Sequence, residues 1–534
     1  MPVYQRYLLS LLSGFLLVLC FPFTGSITAF VFIALVPLLI VENDLIEQNK
    51  NRFHLYPHSY LSFFVYNFGT TWWIYNSTDV GAILAFVFNS LLMAWAFEIY
   101  HIFHRKIGKE NGIWVLLIVW TAFEFVHFNW ELSWPWLSFG NVFSIQTNWV
   151  QWYEFTGVLG GTIWVLLLNI IFFKAIKKYS ISRKISDLKQ YAIFSILTIV
   201  TPILISVVIL KRLNDTSKNG RFFEVVVVQP NIDPYNEKFD PNMTVGLQMQ
   251  KMFSLANQKV NSKTDLVVCP ETAISQGFVE NELKAYSFYE LMEKQLKDWN
   301  KPDLLIGAST YRIFLNPRTR ASKKIPNQEG YFESYNSSLY LSRKNKASFI
   351  HKSKLVLGVE KIPFSQYFPF LEEYSINNGG TSGTLGIEDY PKIYKRKMNV
   401  APIICYESIY GELVAEQSKQ GADFLCIMTN DGWWDNTPGH KQHFSFAKLR
   451  AIENRKWVAR SANTGISGFI DSKGDVIQES KWWTESALKQ NIQAQREPTF
   501  YSSNGDYIGR VSAVLFLMII PYSFVINRRK KQKI

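Results

Sequence analysis

Long apolar runs dominate the first 212 residues of the chain. A helix that crosses a bilayer needs about 20 mostly apolar residues, and seven runs in this region approach or reach that length. An eighth run stands alone near the C-terminus, so we expect eight transmembrane helices, although the pattern leaves the ends of the short second run open. The eight runs are Tyr7–Phe23, Ile27–Val41, Ser59–Tyr75, Val80–Phe103, Gly112–Phe128, Thr156–Phe173, Tyr191–Leu210 and Tyr507–Ile526.

The pattern changes after a short polar stretch at 213–222, which we predict to be a linker. From there to residue 497, short β-branched runs alternate with helical stretches, which is typical of an α/β domain. We therefore predict a seven-helix transmembrane domain at 1–212, a globular α/β domain at 223–497, and an eighth transmembrane helix with a basic tail at 498–534.

The predicted strands and helices of the α/β domain alternate along the chain. The strands are Glu224–Gln229, Asp265–Cys269, Asp303–Gly307, Ser338–Leu341, Val400–Cys405, Asp423–Met428, Trp457–Ser461 and Ile466–Asp471; the helices are Pro241–Val260, Glu280–Trp299, Glu407–Gln417 and Lys441–Asn454.

Composition excludes several classes of protein. Apolar residues make up 48% and charged residues 19% of the 534 residues, which excludes a disordered chain. The chain has 4 cysteines, too few for a disulfide-stapled scaffold of this length.

The net charge of +13 is concentrated in alternate loops and in the C-terminal tail. Because Lys and Arg accumulate on the cytoplasmic side of membrane proteins, we expect both termini in the cytoplasm and the large domain outside. Membrane topology, together with contact between the tail and anionic lipid, explains the positive charge better than binding of nucleic acid does. The basic residues are Lys50, Arg52, Arg105, Lys106, Lys109, Lys174, Lys177, Lys178, Arg183, Lys184, Lys189, Arg528, Arg529, Lys530, Lys531 and Lys533.

Three predicted strand ends carry reactive groups. Glu271 follows a buried strand, Lys352 follows another, and Cys405 lies where a third strand turns into a predicted helix. A helix N-terminus favours the thiolate, a carboxylate can take the thiol proton, and an ammonium can stabilise an oxyanion. The three groups would suit acyl transfer. Spacing alone leaves open that Cys405, like Cys269 and Cys426, is a small core side chain and that Lys352 is a solvated charge.

The motifs around these residues resemble those of a known superfamily. Cys269-Pro-Glu271-Thr-Ala, His351-Lys352-Ser-Lys-Leu and Ile404-Cys405-Tyr-Glu407 are similar to the Glu–Lys–Cys signature of the nitrilase (carbon–nitrogen hydrolase) superfamily. Within it, the chain resembles the membrane-bound apolipoprotein N-acyltransferase family. The further matching segments are Lys352–Glu360, Asn430–Trp434, Gly439–Phe444, Arg460–Ile466 and, in the membrane part, Trp134–Gly140.

The resemblance implies a fold and a reaction. The fold is a membrane domain of eight transmembrane helices with a periplasmic nitrilase-like αββα sandwich. The reaction takes an acyl chain from a phospholipid and passes it to the α-amine of the diacylglyceryl-modified N-terminal Cys of apolipoproteins, at the outer face of the bacterial inner membrane. No metal or soluble cofactor is implied, and we expect a monomer that contacts membrane lipid.

The resemblance also assigns roles to residues. Cys405 would be the nucleophile, Glu271 the general base and Lys352 the oxyanion-stabilising cation. Tyr406, whose backbone N–H is a candidate second donor, would support the triad together with Glu407 and Glu360. His440 and His443 invite a metal-site interpretation, which we set aside because no Cys lies beside them in sequence.

Aromatic segments near the predicted site are candidate lids. We interpret Ile362–Leu371, with Phe364, Tyr367 and Phe368, as an arm that dips into the lipid interface; burial in the core is the alternative. The run Asn377–Gly383 could be its hinge. Three further candidates are Phe239, where the family has Trp, and Trp433 and Trp434, for which core packing is equally compatible with the sequence.

Two other functions remain open. The chain could be a membrane-anchored amidase that hydrolyses its thioester, or a non-catalytic lipid-binding or transport protein.

Glu124, in the fifth run, is a functional candidate because charged groups in membranes are costly; a structural hydrogen bond would also explain it.

Overall fold

The computed structural model of the chain describes all residues except 109, 217–219, 344, 366, 369, 371–382 and 532–534. The chain divides into two compact units. The first comprises Met1–Tyr75, Asp79–Asp215 and Asn504–Ile534, and the second comprises Asn76–Thr78 and Thr216–Ser503. The domain bounds expected from the sequence stay predictions.

The first unit is helical. Its helices are α1 (Val3–Cys20), α2 (Val36–Glu47), α3 (Tyr56–Thr71), α4 (Asp79–Ile107), α5 (Val115–Phe128), α6 (Tyr153–Ser182), α7 (Lys189–Thr216) and a C-terminal helix, Tyr507–Lys531.

Six helical segments in the described residues are long and apolar enough to cross a bilayer: Val3–Cys20, Thr28–Glu47, Gly81–Ile107, Tyr153–Ser182, Ile185–Asn214 and Tyr507–Ile526. A seventh segment, Gly112–Phe128, is apolar but shorter. The third predicted span corresponds to α3, which has 16 residues and includes Ser, His, Asn and Thr. Several apolar helices at the N-terminus are therefore confirmed, whereas the count of eight spans stays a prediction.

Glu124 of α5 is held by hydrogen bonds inside the helical unit. Its carboxylate accepts hydrogen bonds from Trp120 Nε1 (3.0 Å) and Thr162 Oγ1 (2.7 Å). It also accepts from Ser138 Oγ (2.6 Å) and from the Phe139 backbone N–H (3.1 Å). The carboxylate thereby ties α5 and α6 to the Trp134–Gly140 segment. A buried acceptor with four donors has a structural role. These hydrogen bonds therefore explain why a carboxylate is buried here, as the structural alternative for Glu124 expects.

Replacing Glu124 with Ala should destabilise the helical unit by about 3 kcal/mol, because buried donors that lose their acceptor retain their desolvation cost. Thermal unfolding of the full-length protein in detergent measures the effect. Glu110→Ala, at an exposed turn position, is the matched control. Equal melting temperatures for the two variants would contradict the structural role.

The second unit contains two β-sheets in its described residues. The strands of the first sheet lie in the order β14-β1-β2-β4-β6-β5, with β3 pairing with β4 and β7 with β6; the second sheet has the order β13-β12-β11-β10-β9-β8. The strands are β1 (Phe222–Gln229), β2 (Thr264–Val268), β3 (Ile274–Val279), β4 (Asp303–Phe314), β5 (Lys323–Lys324), β6 (Tyr331–Ser342), β7 (Asn345–His351), β8 (Tyr394–Lys395), β9 (Asn399–Ile404), β10 (Phe424–Thr429), β11 (Val458–Ala462), β12 (Gly468–Ile470), β13 (Val476–Glu479) and β14 (Ser486–Gln493).

Alternation along the strands builds a layered core. Val225 and Val227 of β1 pack into a cluster with Phe424 and Met428 of the second sheet. The intervening Val226 and Val228 pack instead against helices α8 (Val245–Asn257) and α9 (Ser287–Trp299). Helices α10 (Gly411–Lys419) and α11 (Pro438–Asn454) contact the second sheet. Successive strand side chains point to opposite faces, so the two sheets share one core and helices pack against both.

The predicted elements of this unit overlap the observed ones. Each of the eight predicted strands overlaps an observed strand, and the four predicted helices overlap α8, α9, α10 and α11. Strands β3, β5, β8, β13 and β14 were not predicted, and β7 was expected only as a strand of unstated bounds before Lys352. Strand β14 reads Ser-Ala-Leu-Lys-Gln-Asn-Ile-Gln and buries only Ala487 and Ile492, so it lacks the β-branched run that signalled the central strands.

Candidate active site

The three residues expected to react lie around one cavity of the second unit. Glu271 follows β2, Lys352 is the first residue after β7, and Cys405 is the first after β9. All three line the same cavity. The carboxyl ends of β2 and β9 thus bring together side chains that are up to 134 positions apart in the sequence.

The Lys352 ammonium lies between two carboxylates. Its Nζ is 3.2 Å from Glu271 Oε1 and 3.0 Å from Glu360 Oε1, and the residue is only 1% exposed. Asn336 Nδ2 donates to the same two oxygens, at 2.8 Å each. Burial alone would lower the pKa of Lys352, but Glu360 and Glu271 outweigh it and raise that pKa above its usual value. Lys352 therefore keeps its proton and its positive charge.

Cys405 has an unusual backbone conformation for its residue type. Its φ is 51°, in the left-handed region that costs a non-glycine residue free energy. It begins a short 3₁₀ turn, Cys405–Ile409, and α10 starts only at Gly411. The expectation that Cys405 lies at the N-terminus of an α-helix, where the thiolate would be favoured, was therefore wrong.

The thiol of Cys405 is protonated in the resting site. Burial is the main cause that raises its pKa; the Glu271 carboxylate raises it further and Lys352 opposes this. Since the thiolate is the nucleophilic form, any reaction at Cys405 requires a base to remove the thiol proton. Glu271 lines the same cavity and can serve as that base.

Glu407 links the turn of Cys405 to the segment of Lys352. Its Oε2 accepts a hydrogen bond from the Ile404 backbone N–H (2.7 Å), and its Oε1 accepts one from the Ser353 N–H (2.6 Å). Burial raises the pKa of Glu407 to about 7, although these N–H groups oppose the rise. Glu407 thus holds the two chain segments together. Tyr406, predicted as a second oxyanion donor, is buried and packs on Tyr410; its donor role stays a prediction.

A buried charge network that the sequence did not reveal supports Cys405 from behind. His443 Nε2 lies 3.2 Å from the Cys405 carbonyl oxygen and 2.8 Å from Ser408 Oγ. On the other side of the ring, His443 Nδ1 lies 2.9 Å from Asp431 Oδ1, and Arg460 Nη2 donates to Asp431 Oδ2 at 2.5 Å. The network anchors the carbonyl of the strained residue.

The same groups could be taken for a metal site. Donor atoms of Cys405, Asp431 and His443 lie within 4.8 Å of one another. However, the Arg460 guanidinium already neutralises Asp431 and approaches His443 Nδ1 at 3.1 Å. A second cation would have to share this space with a fixed positive charge, so the chemistry of the set favours the anchoring role.

The candidate lid residues fall into two groups. Phe239, Trp433 and Trp434 line the cavity, whereas Tyr367 and Phe368 are 67% and 52% exposed. Tyr367 and Phe368 are therefore not buried in the core, whereas Ile362 at the start of the arm is; the lid role of the arm stays a prediction. Phe364 has a φ of 59° and is half-buried. Most of the predicted hinge, Asn377–Gly383, lies outside the described residues, as does the end of the arm.

Several cavity-lining residues carried no signal in the sequence. Asn336 is a strand residue in a polar run, and the others are small or aliphatic, so no spacing marks them. They are Ser77, Ser309, Asn336 and Leu385. Thr272, Val356, Val359 and Asn430 also line the cavity and lie within the segments that resemble the family.

The turn that carries Glu271 depends on a glycine in the neighbouring strand. The Gly307 N–H donates to the Pro270 carbonyl oxygen at 3.1 Å. A Cβ at Gly307 would lie 2.5 Å from that oxygen and 2.6 Å from both Glu271 Cα and Thr272 N. The Glu271 backbone can lie here only because Gly307 has no side chain.

Gly307→Ala should therefore displace Glu271 and lower the rate of the reaction at Cys405 by about 10²-fold, the cost of misplacing a reactive group by about 1 Å. That rate is measured as the increase in intact-protein mass with time as Cys405 is modified. Gly246→Ala is the control, because its Cβ would meet only ordinary contacts at 3.7 and 3.8 Å. Equal rates in the two variants would show that the turn does not control the site.

Comparison with known families covers both units. A family model described as carbon-nitrogen hydrolase matches residues 224–499. A second model, described as apolipoprotein N-acyltransferase N-terminal domain, matches residues 13–171. The nitrilase-like nature of the C-terminal half is thereby confirmed.

Curated relatives align over nearly the full length. The apolipoprotein N-acyltransferase of Chlorobaculum tepidum is 30% identical over 522 residues, covering 95% of this chain and 94% of its own. That of Geobacter metallireducens is 25% identical and covers 94% and 92%. That of Haemophilus influenzae is 26% identical and covers 98% and 96%. The chain therefore belongs to the apolipoprotein N-acyltransferase family.

Proposed function

We propose that this protein transfers an acyl chain from a phospholipid to the α-amine of the diacylglyceryl-modified N-terminal cysteine of apolipoproteins, the last step of bacterial lipoprotein maturation. The observation that carries the proposal is the cavity lined by Glu271, Lys352 and Cys405, in a chain whose family acts on apolipoproteins. No soluble cofactor or metal takes part in the proposed chemistry.

In the first half-reaction, Glu271 takes the proton of the Cys405 thiol as the sulfur attacks the ester carbonyl of the phospholipid. The carbonyl oxygen becomes an oxyanion, which the Lys352 ammonium stabilises. The intermediate then collapses, the carbon–oxygen bond breaks, and the lysophospholipid leaves with the proton from Glu271. Cys405 now carries the acyl chain as a thioester.

In the second half-reaction, the neutral α-amine of the acceptor attacks the thioester carbonyl. Glu271 removes a proton from the attacking nitrogen, and Lys352 stabilises the second oxyanion. The carbon–sulfur bond breaks, the amide leaves, and the proton on Glu271 returns to the sulfur. One nucleophile that serves two substrates in turn gives ping-pong kinetics.

The pairing of Lys352 supports this assignment of roles. An ammonium with a raised pKa does not compete as a base, so proton transfer falls to Glu271. Glu360 carries the second contact to Lys352 and can hold the ammonium when Glu271 is protonated. The lysine charge therefore stays in place through both half-reactions.

Transfer to an amine requires that water be kept from the thioester. Phe239, Trp433 and Trp434 give the cavity an aromatic wall, and the exposed Tyr367 and Phe368 are suited to an apolar environment such as a lipid surface. We propose that the first group excludes water and that the second contacts lipid near the donor.

We further propose that the protein acts as a monomer in the bacterial inner membrane, with eight spans, both termini in the cytoplasm and the catalytic domain in the periplasm. The support is the concentration of Lys and Arg in alternate loops, which favours the cytoplasm. This orientation would place the cavity on the side where exported lipoproteins arrive.

Incubation of the purified full-length protein with a phospholipid should add the mass of one fatty acyl group to Cys405, because the thioester persists until an amine arrives. Intact mass and peptide mapping measure it. Cys405→Ser should remain unmodified, since a hydroxyl is far less ionised than a thiol near neutral pH. Cys426→Ala, at a buried core position of the same unit, should acylate normally.

Addition of a peptide with a diacylglyceryl-modified N-terminal cysteine should discharge the acyl group onto its α-amine, whereas an N-acetylated peptide should not. Loss of the acyl group to water at the same rate with either peptide would identify an amidase-like hydrolase. A wild-type protein that never acquires the acyl group would refute the thioester route.

A tag placed after residue 534 should be inaccessible to a membrane-impermeant label in intact spheroplasts and should become accessible after lysis. The expected protection follows from the basic C-terminal tail, because Lys and Arg accumulate on the cytoplasmic side. Labelling of the tag in intact spheroplasts would overturn the proposed orientation. A tag inserted beside the exposed Leu315 is the positive control.

A further inference from the structure

Lys238 is a buried lysine that the proposed reaction does not use. The residue is 3% exposed, and its Nζ donates to Thr272 Oγ1 (2.6 Å) and to the Glu271 carbonyl oxygen (3.2 Å). Among the described residues, no carboxylate forms an ion pair with it. Burying an ammonium without a paired carboxylate is costly. The two hydrogen bonds that offset this cost both go to the turn that carries Glu271.

That turn has a backbone conformation that needs support. Thr272 has a φ of 45°, and a β-branched residue in the left-handed region is strained. On one side, Gly307 leaves room for the turn and donates to the Pro270 carbonyl oxygen. On the other side, the Lys238 ammonium holds the Thr272 hydroxyl and the Glu271 carbonyl. The turn is therefore fixed between a strand and a lysine.

The loop of Lys238 is itself fixed. Gln248 of α8, which is 1% exposed, donates from Nε2 to the Lys238 carbonyl oxygen (2.9 Å) and to the Met243 carbonyl oxygen (2.9 Å). The next residue, Phe239, lines the cavity. The lysine thus connects α8 to the turn of Glu271 without depending on a mobile surface side chain.

The charge of Lys238 also acts on the reacting groups. Burial lowers the pKa of Lys238 to about 8, while the negative forms of Glu271 and Cys405 oppose the decrease. Besides Lys238, the charged groups around Glu271 and Cys405 in the described residues include Lys352 and Glu360, which line the cavity, and Asp431, whose charge acts on Cys405.

We propose that Lys238 is a positioning residue for the general base: it holds the strained turn that carries Glu271. The inference rests on the proposed function of Glu271, and it concerns a residue that does not itself line the cavity. Loss of Lys238 should therefore slow the removal of the thiol proton at Cys405.

The test measures the rate of Cys405 acylation, by intact mass, as a function of phospholipid concentration at pH 7 in full-length protein in detergent. Lys238→Met should reduce the maximal rate by about tenfold or more and leave the phospholipid concentration at half the maximal rate unchanged, because Lys238 does not line the cavity. Lys238→Arg, which keeps a charged donor of different shape, should restore part of the maximal rate.

Lys456→Met is the matched control. Lys456 is also fully buried, its pKa is also lowered to about 8 by burial, and it donates to the Gln495 carbonyl oxygen away from the cavity. Its replacement should lower the melting temperature and leave the maximal rate of Cys405 acylation unchanged.

The outcomes separate the two levels of proposal. An unchanged maximal rate in Lys238→Met, or a change only in the phospholipid concentration at half the maximal rate, would overturn the positioning role while leaving the thioester route intact. Failure of the wild-type protein to acquire an acyl group would instead refute the proposed function on which this inference depends.

Discussion

The arrangement of the site depends on one buried positive charge between two carboxylates. Removing charges from water costs several kcal/mol per ion, and the site meets this cost because Lys352 contacts both Glu271 and Glu360 while Asn336 donates to the same two oxygens. The set as a whole carries one excess negative charge, so one carboxylate can accept a proton without leaving the ammonium unpaired. This is the property that a base working twice in each cycle requires.

Backbone strain lies on both sides of this charge cluster. Cys405 and Thr272 both have positive φ values, and each belongs to a turn that ends a strand. The first is held by the network of His443, Asp431 and Arg460, and the second by Lys238 and Gly307. Strained residues persist only where their surroundings fix them, and here polar networks supply the support.

Glu407 and Glu124, two of the buried carboxylates outside this cluster, illustrate different uses of the same group. Glu407 accepts backbone N–H groups from two separate segments, and Glu124 accepts four donors within the helical unit. Neither is needed as a proton acceptor for the proposed chemistry, since each is occupied by donors that hold the fold. A buried carboxylate with its hydrogen bonds satisfied is a structural element, whereas Glu271 faces a cavity.

The sequence alone determined the division into an apolar region and an α/β region, the central strands, and the family, because apolar runs, β-branched runs and motif strings are local properties of the chain. The positions of Glu271, Lys352 and Cys405 after strands could also be predicted, since a strand end is a local pattern. The tertiary structure alone decided the partners of these groups. Asn336, Lys238, His443, Asp431 and Arg460 come from distant segments, and no spacing relates them. The short 3₁₀ turn at Cys405 and the polar edge strand β14 were likewise set by packing between elements, which a periodic pattern does not encode.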